Sequence, residues 1–120
     1  MRDQAMAQQV EQRIANLKVR LRITDAQAAQ WDAYAAALRE AAKAMGAQRA
    51  EMREKARAAT FPERIALHEV MLASHLEQLR KVKAAAAALY AVLADDQKKL
   101  ADTAMMGPMM RGRMRGAHGR

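Results

Sequence analysis

At 120 residues, with no cysteine and a net charge of +8, the chain is one domain's worth of sequence, without disulfides, thiol catalysis or cysteine-based zinc sites. Of its 52% apolar residues 30 are alanine, and Leu, Ile, Val and Phe number only 19 of 120, below the roughly 20% at which a charged chain builds a substantial core. Aromatics at 3% exclude a β-sandwich or barrel, which needs β-branched and aromatic residues, so the composition points to helices, with ten methionines as soft, adaptable filling.

Met6, Val10, Ile14, Leu17 and Leu21 recur at spacings of four, four, three and four, one apolar stripe of a helix over 3–21. Thr24 and Gln27 then stand at capping-box spacing, Thr24 capping free backbone N–H groups and Gln27 reaching back to the Thr24 N–H. The helix they open runs over 25–57, with Trp31, Tyr34, Leu38, Met45 and Met52 on one stripe and Gly46 beside it. Trp31, Tyr34 and Leu38 read as anchors of a core or a dimer seam.

Thr60 and Glu63 repeat the capping-box spacing, with Pro62 tolerated in the first turn. Beyond them Ile65, Leu72, Leu79, Ala86 and Leu93 fall seven apart, with Leu76 beside them, so Leu72, Leu76 and Leu79 are candidate seam residues of a helix over 62–93. At 1.5 Å per residue that helix is roughly 48 Å long, against a radius of gyration near 13–14 Å for a compact domain of this size. The expected fold is therefore all-α: an elongated helical hairpin of four helices, two of them long. The fourth helix opens at Asp95, Asp96 and Gln97 and runs to Met106. Residues 1–106 form one helical domain in this reading, and 107–120, with four arginines, four glycines and no core pattern, a disordered basic Met/Arg/Gly tail.

The charge is uneven: +3 over 1–23, −2 over 24–38, +3 over 39–64, zero over 65–106 and +4 in the last fourteen residues. Such a distribution favours acidic partners or surfaces. The longest uncharged run, Ala84 to Ala94, is about half of what a membrane-spanning helix needs. The N-terminal MRDQAMAQQV lacks the apolar core of a signal peptide, so the chain reads either as cytosolic or as a mature form whose leader has been removed.

Two stretches carry a resemblance. Ile23-Thr24-Asp25-Ala26-Gln27 resembles a Leu-Thr-x-x-Gln signature, and Tyr90-Ala91-Val92-Leu93-Ala94-Asp95-Asp96-Gln97 resembles its second form, Tyr-x-x-Leu-Thr-x-x-Gln. With some seventy helical residues between them, the region 20–106 is similar to the Spy/CpxP family of periplasmic LTXXQ-motif proteins. Ile23 stands for Leu, and Ala94 stands for the Thr of the second copy, where Asp95 is expected to take over the cap and move the helix start by one residue. The residues themselves give both motifs, Thr24 and Gln27, Asp95 and Gln97, a structural role: they start helices.

The resemblance implies an all-helical, cradle-like antiparallel homodimer in the periplasm, working as an ATP-independent holdase for unfolded or misfolded proteins or as a buffer of envelope stress that engages a membrane stress-sensor domain. Geometry supports the pairing, since thin helices with few large residues cannot bury both sides of a long seam, and two-fold closure is the commonest remedy. A holdase needs no cofactor and no catalytic group, only an adaptable apolar and cationic surface. Arg39, Lys43, Met45, Arg49, Met52, Arg53, Phe61 and Arg64 supply one.

Other functions have less to stand on. Metal-binding relatives make His68, Met71 and His75 a candidate soft-metal set, although positions i, i+3 and i+7 spread over roughly 10 Å of helix. The tail methionines Met105, Met106, Met109, Met110 and Met114 with His118 form a second candidate for Cu(I). A basic Arg-Gly tail attaches to phosphate, but there is no aromatic stacking platform for specific nucleic-acid binding. Ser74 is the only serine, there is no Gly-rich phosphate loop, and no nucleophile, base and orienting group come together, so no enzyme is expected.

Overall fold

The computed structural model describes the backbone over residues 2–104 and side chains from residue 7. The expected tail at 107–120, the methionines from Met105 onward and the Met6 side chain lie outside the described residues. Within them the chain is all helix: α1 (Arg2–Leu21), a single 3₁₀ turn (Asp25–Gln27), α2 (Ala28–Ala56), α3 (Phe61–Val92) and α4 (Asp95–Ala104). The radius of gyration is 17.0 Å and the principal extents are 52 × 38 × 27 Å, against about 13 Å for a compact chain of this length. The molecule is elongated because α3 alone, 32 residues, is about 48 Å long.

Each break has a local cause. After Leu21 the chain turns through Arg22, at φ 56°. Arg22 N donates to Val19 O at 3.2 Å and Ile23 N to Lys18 O at 3.3 Å, the two bonds of a Schellman ending whose left-handed residue is usually glycine. Thr60 closes the start of α3 from both sides: Glu63 N donates to Thr60 Oγ1 at 3.3 Å and Thr60 N to Glu63 Oε1 at 2.8 Å. The second LTXXQ copy departs from expectation. Asp95 does not take over the cap; it is the first residue of α4, Ala94 keeps the cap position, and Lys98 N donates to Ala94 O at 2.8 Å. The helix start does not shift, because Gln97 bonds the Ala94 N–H at 2.8 Å as Gln27 bonds the Thr24 N–H at 3.1 Å, and that bond needs no hydroxyl.

The core sits at one end. Ile14, Leu17 and Leu21 of α1 meet Trp31, Tyr34 and Ala35 of α2, Leu89 and Leu93 at the end of α3, and Ala101 of α4. Leu21, Leu89 and Trp31 are the largest fully buried side chains, and the Trp31 and Tyr34 rings meet at 5.7 Å and 52°, a tilted pair of the kind that adds about 1 kcal/mol beyond burial. Leu38 packs against this cluster without being fully buried. Leu72, Leu76 and Leu79 do not join it, being 56%, 46% and 39% exposed; at their positions on α3 no other described helix covers them.

From this end α2 and α3 extend together as an antiparallel pair. Gln27 meets the Val92 carbonyl at 2.9 Å, Lys81 Nζ lies 3.6 Å from Glu40 Oε1, and Met52 and Ala56 share a cleft with Leu67 and Met71. Between Ala35 and Leu89 no residue is fully buried.

Replacing Arg22 by glycine removes the cost of a left-handed non-glycine residue, about 1–2 kcal/mol, and adds the smaller cost of a freer unfolded chain. Arg22→Gly is expected to raise stability by about 0.5–1 kcal/mol in urea unfolding; a loss of stability contradicts this reading of the turn.

Candidate functional site

Three places carry the residues singled out by the sequence: the junction of the two motifs, the groove between α1 and α2, and the α2–α3 arm.

At the junction the two motif glutamines form one knot. Gln27 and Gln97, seventy residues apart, are 7% and 6% exposed. Gln27 Nε2 donates to Gln97 Oε1 at 2.8 Å and Gln97 Nε2 returns a bond to Gln27 Oε1 at 3.0 Å. Each oxygen also accepts the N–H of its own motif turn, at Thr24 and Ala94. Each nitrogen donates onward to the end of another helix: Gln27 to Val92 O at 2.9 Å, Gln97 to Leu21 O at 2.8 Å and Arg22 O at 3.1 Å. The carbonyls at a helix C-terminus lack intrahelical partners, so the glutamine that helps start α2 caps α3, and the one that helps start α4 caps α1. Every amide donor is used, which is what burial of a carboxamide requires. The sequence indicates each glutamine as a helix starter but not their pairing; the one available signal is that the same motif, with Gln at the same offset, occurs twice. Tyr90 of the second copy lies outside the knot, 40% exposed, with its hydroxyl 3.4 Å from Asp102 Oδ2 and the Lys98 ammonium 5.4 Å from its ring centroid.

Between α1 and α2, Ala7, Val10 and Glu11 face Arg39, Ala42, Lys43, Gly46 and Ala47 across a groove of about 420 Å³. Arg39 grips Glu11 with both Nε and Nη2, the latter at 3.0 Å. The hydrogen bond from Arg39 holds the Glu11 carboxyl below its ordinary range, and the same bond raises Arg39. Because the lowered group is an acid, the pair is complete above the ordinary glutamate range and is lost only as pH falls through the depressed value. Being exposed on both sides, it positions α1 more than it stabilises the fold.

On the arm, the candidate client-binding residues separate. Arg39, Lys43, Arg49, Arg53 and Arg64 are exposed, and Phe61 is 75% exposed. Met45 and Met52 are only half-buried, and Met52 turns toward α3, lining a cleft of about 210 Å³ with Ala56, Arg64, Leu67, His68 and Met71. Most of the exposed large apolar side chains lie on α3, and of these Phe61, Ile65, Leu72, Leu76 and Leu79 lie within a narrow arc at 100° per residue. The candidate metal set does not converge. His68 and Met71 share the cleft with Met52, but His75 is not among its lining residues, and Arg64 places a fixed cation there. Among the described residues no three His, Cys, Asp or Glu side chains are grouped to hold a metal ion, and no described helix is long and apolar enough to cross a membrane.

An elongated all-helical chain whose helix junctions are tied by two buried motif glutamines belongs to a narrow class of helical proteins with a duplicated capping motif. The family model "LTXXQ motif family protein" matches residues 9–105, and the chain belongs to this family, the Spy/CpxP type. No curated protein and no solved structure matches it.

Removing either glutamine side chain takes one donor and one acceptor partner from the other's buried amide and opens a helix end, at about 1–3 kcal/mol per unsatisfied group. Gln27→Ala and Gln97→Ala are each expected to cost about 2–4 kcal/mol in urea unfolding, and the double variant less than their sum, with a coupling energy of at least about 1 kcal/mol. Strict additivity of the two losses contradicts the knot.

Proposed function

We propose that this protein is an ATP-independent periplasmic chaperone of the holdase kind, a homodimer that holds unfolded polypeptides on the α2–α3 arm and so buffers envelope stress. One observation carries the reading: an arm of more than fifty residues with no fully buried side chain, yet with Phe61, Ile65, Leu72, Leu76 and Leu79 open along one face. A two-helix pair of this length has no core of its own to make these leucines necessary. They are useful to something outside the described residues of the protomer.

The seven-residue spacing of Ile65, Leu72 and Leu79 suits a helix of a second copy laid along α3, because a heptad stripe is the seam of a left-handed coil. Antiparallel pairing of two arms on this stripe covers the open leucines and leaves the α2 faces outward, as the walls of a shallow cradle. Those walls carry Arg39, Lys43, Arg49 and Arg53, cations that draw in acidic segments at long range, with the half-buried Met45 among them; at the tip of the arm Met52 in its cleft and the exposed Phe61 add apolar contact at short range. Weak contacts of this kind favour many unrelated chains over one. A holdase does no bond chemistry, and no ATP or cofactor has a part in it. A membrane stress-sensor domain is a narrower alternative partner for the same surface.

The test separates seam from fold. Leu72→Asp with Leu79→Asp is expected to halve the mass seen by light scattering while leaving the unfolding midpoint of the dissociated protomer within about 0.5 kcal/mol of the unmodified one, as for exposed positions. Leu89→Ala, in the core, is expected to cost about 2–5 kcal/mol. A monomeric parent chain overturns the dimer. The unmodified protein at a few-fold excess is expected to suppress aggregation of several unrelated denatured proteins, and less so at 0.5 M salt, where exposed charges are screened within a few ångströms. Protection of none of them, with tight binding to one sensor domain, overturns the holdase.

A further inference from the structure

The groove between α1 and α2 lies on the face of α2 turned toward α1 and shares Arg39 and Lys43 with the proposed client surface. Its walls are small and apolar: Ala7 and Val10 on one side, Ala42, Gly46 and Ala47 on the other. It runs along α2 from Arg39 to Ala47, two turns or about 12 Å, and at about 420 Å³ it is in the size range of small-ligand sites. It is open where a side chain could have filled it, since a Cβ built on Gly46 meets nothing within 4 Å. Glycine at mid-helix costs about 1 kcal/mol against alanine, and here neither a turn nor a close backbone contact requires it.

The charges at the rim are not balanced. Glu11 and Arg39 neutralise one another through their two-point contact. Lys43 lines the same groove and makes no ion pair with any described residue. Among the described residues the groove is thus an apolar slot, two helical turns long, with one ammonium group at its edge that none of them pairs.

We propose that this groove binds a single-chain anionic amphiphile, its aliphatic tail lying between Val10 and Gly46 and its acidic head on Lys43. The walls suit a linear chain because alanine and glycine leave a shallow channel, and they present no polar group to the tail apart from the Glu11–Arg39 pair, which is already satisfied. The head is an anion because the one unpaired charge is positive. The tail contributes by burial and the head by a charge-assisted hydrogen bond.

The probes are octyl, decyl and dodecyl sulfate below their micelle concentrations, titrated calorimetrically into the full chain, with decyltrimethylammonium as the opposite-charge control. One-to-one binding is expected, tightening about fourfold for each methylene that enters the groove and levelling off once it is filled, with decyltrimethylammonium at least tenfold weaker. Gly46→Leu places a side chain in the open space and favours the helix, so it is expected to abolish binding without lowering the melting temperature. Lys43→Glu is expected to weaken decyl sulfate at least tenfold. Undiminished binding by Gly46→Leu, equal binding of the cationic and anionic probes, or many amphiphiles per chain would each overturn the proposal. Because the readout is heat of binding by the amphiphile alone, the result stands whichever way aggregation assays of the arm turn out.

Discussion

The mutual capping of Gln27 and Gln97 is the interaction on which the rest of the fold depends. An alanine-rich chain with few large apolar residues cannot hold four helices together by burial alone, because its core comprises, among the described residues, nine fully buried apolar side chains. Two carboxamides at the centre of that core do what more leucines would do elsewhere. They bind each other, start two helices and terminate two more. A buried amide left unpaired costs more than it contributes when paired, so the arrangement is specific: a register of α2 against α4 that separates the two glutamines leaves buried donors unsatisfied. The left-handed Arg22 belongs to the same constraint, since the turn it makes leaves the Leu21 and Arg22 carbonyls available to Gln97.

Concentrating the core at one end frees the other. Between Ala35 and Leu89 no residue is fully buried; α1 still reaches α2 through the Glu11–Arg39 pair and along the groove as far as Ala47, and the contact between the two long helices is made by half-buried alanines, methionines and Leu67 rather than by interlocking large side chains. Such a pair is stiff along its axis, because helices are, but loosely packed across it. Its exposed leucines are therefore not defects of packing; they are the surplus of a chain whose stability is supplied elsewhere. The knot makes an open arm tolerable, with an apolar face that no other described helix covers.

Much of this was legible in the sequence, for reasons that can be named. The α1 stripe, the Thr60–Glu63 box and the two long helices follow from periodicity and capping chemistry, which act within four residues, and the boundaries fall within a few residues of those expected. What local reasoning could not reach was long-range. It marked Gln27 and Gln97 as helix starters but not as partners, since nothing in a single motif says which other chain segment its side chain will meet. It assigned Asp95 the cap because it looked for a hydroxyl or carboxylate, while the bond that fixes the helix start comes from Gln97 to a backbone N–H and works equally well from alanine. It grouped Leu72, Leu76 and Leu79 with Trp31 and Tyr34 as seam residues, although in the protomer only the aromatics are buried. A heptad stripe is the same pattern whether its partner lies in the same chain or in another one.

The position of Gly46 shows how these constraints interact. On α2 the face toward α3 is committed to the arm, and the residues toward the core end are committed to Trp31 and Tyr34. The remaining face looks toward α1, whose own apolar stripe thins toward its N-terminal half: Ile14, Leu17 and Leu21 are buried while Val10 is only partly so. There the two helices are held by the Glu11–Arg39 grip rather than by interdigitation, and an ion pair fixes a separation without filling the space behind it. An alanine at position 46 would serve the helix better, and a leucine would close the gap. That the chain carries neither, beside an unpaired Lys43, is the physical reason to treat the gap as a site rather than as slack.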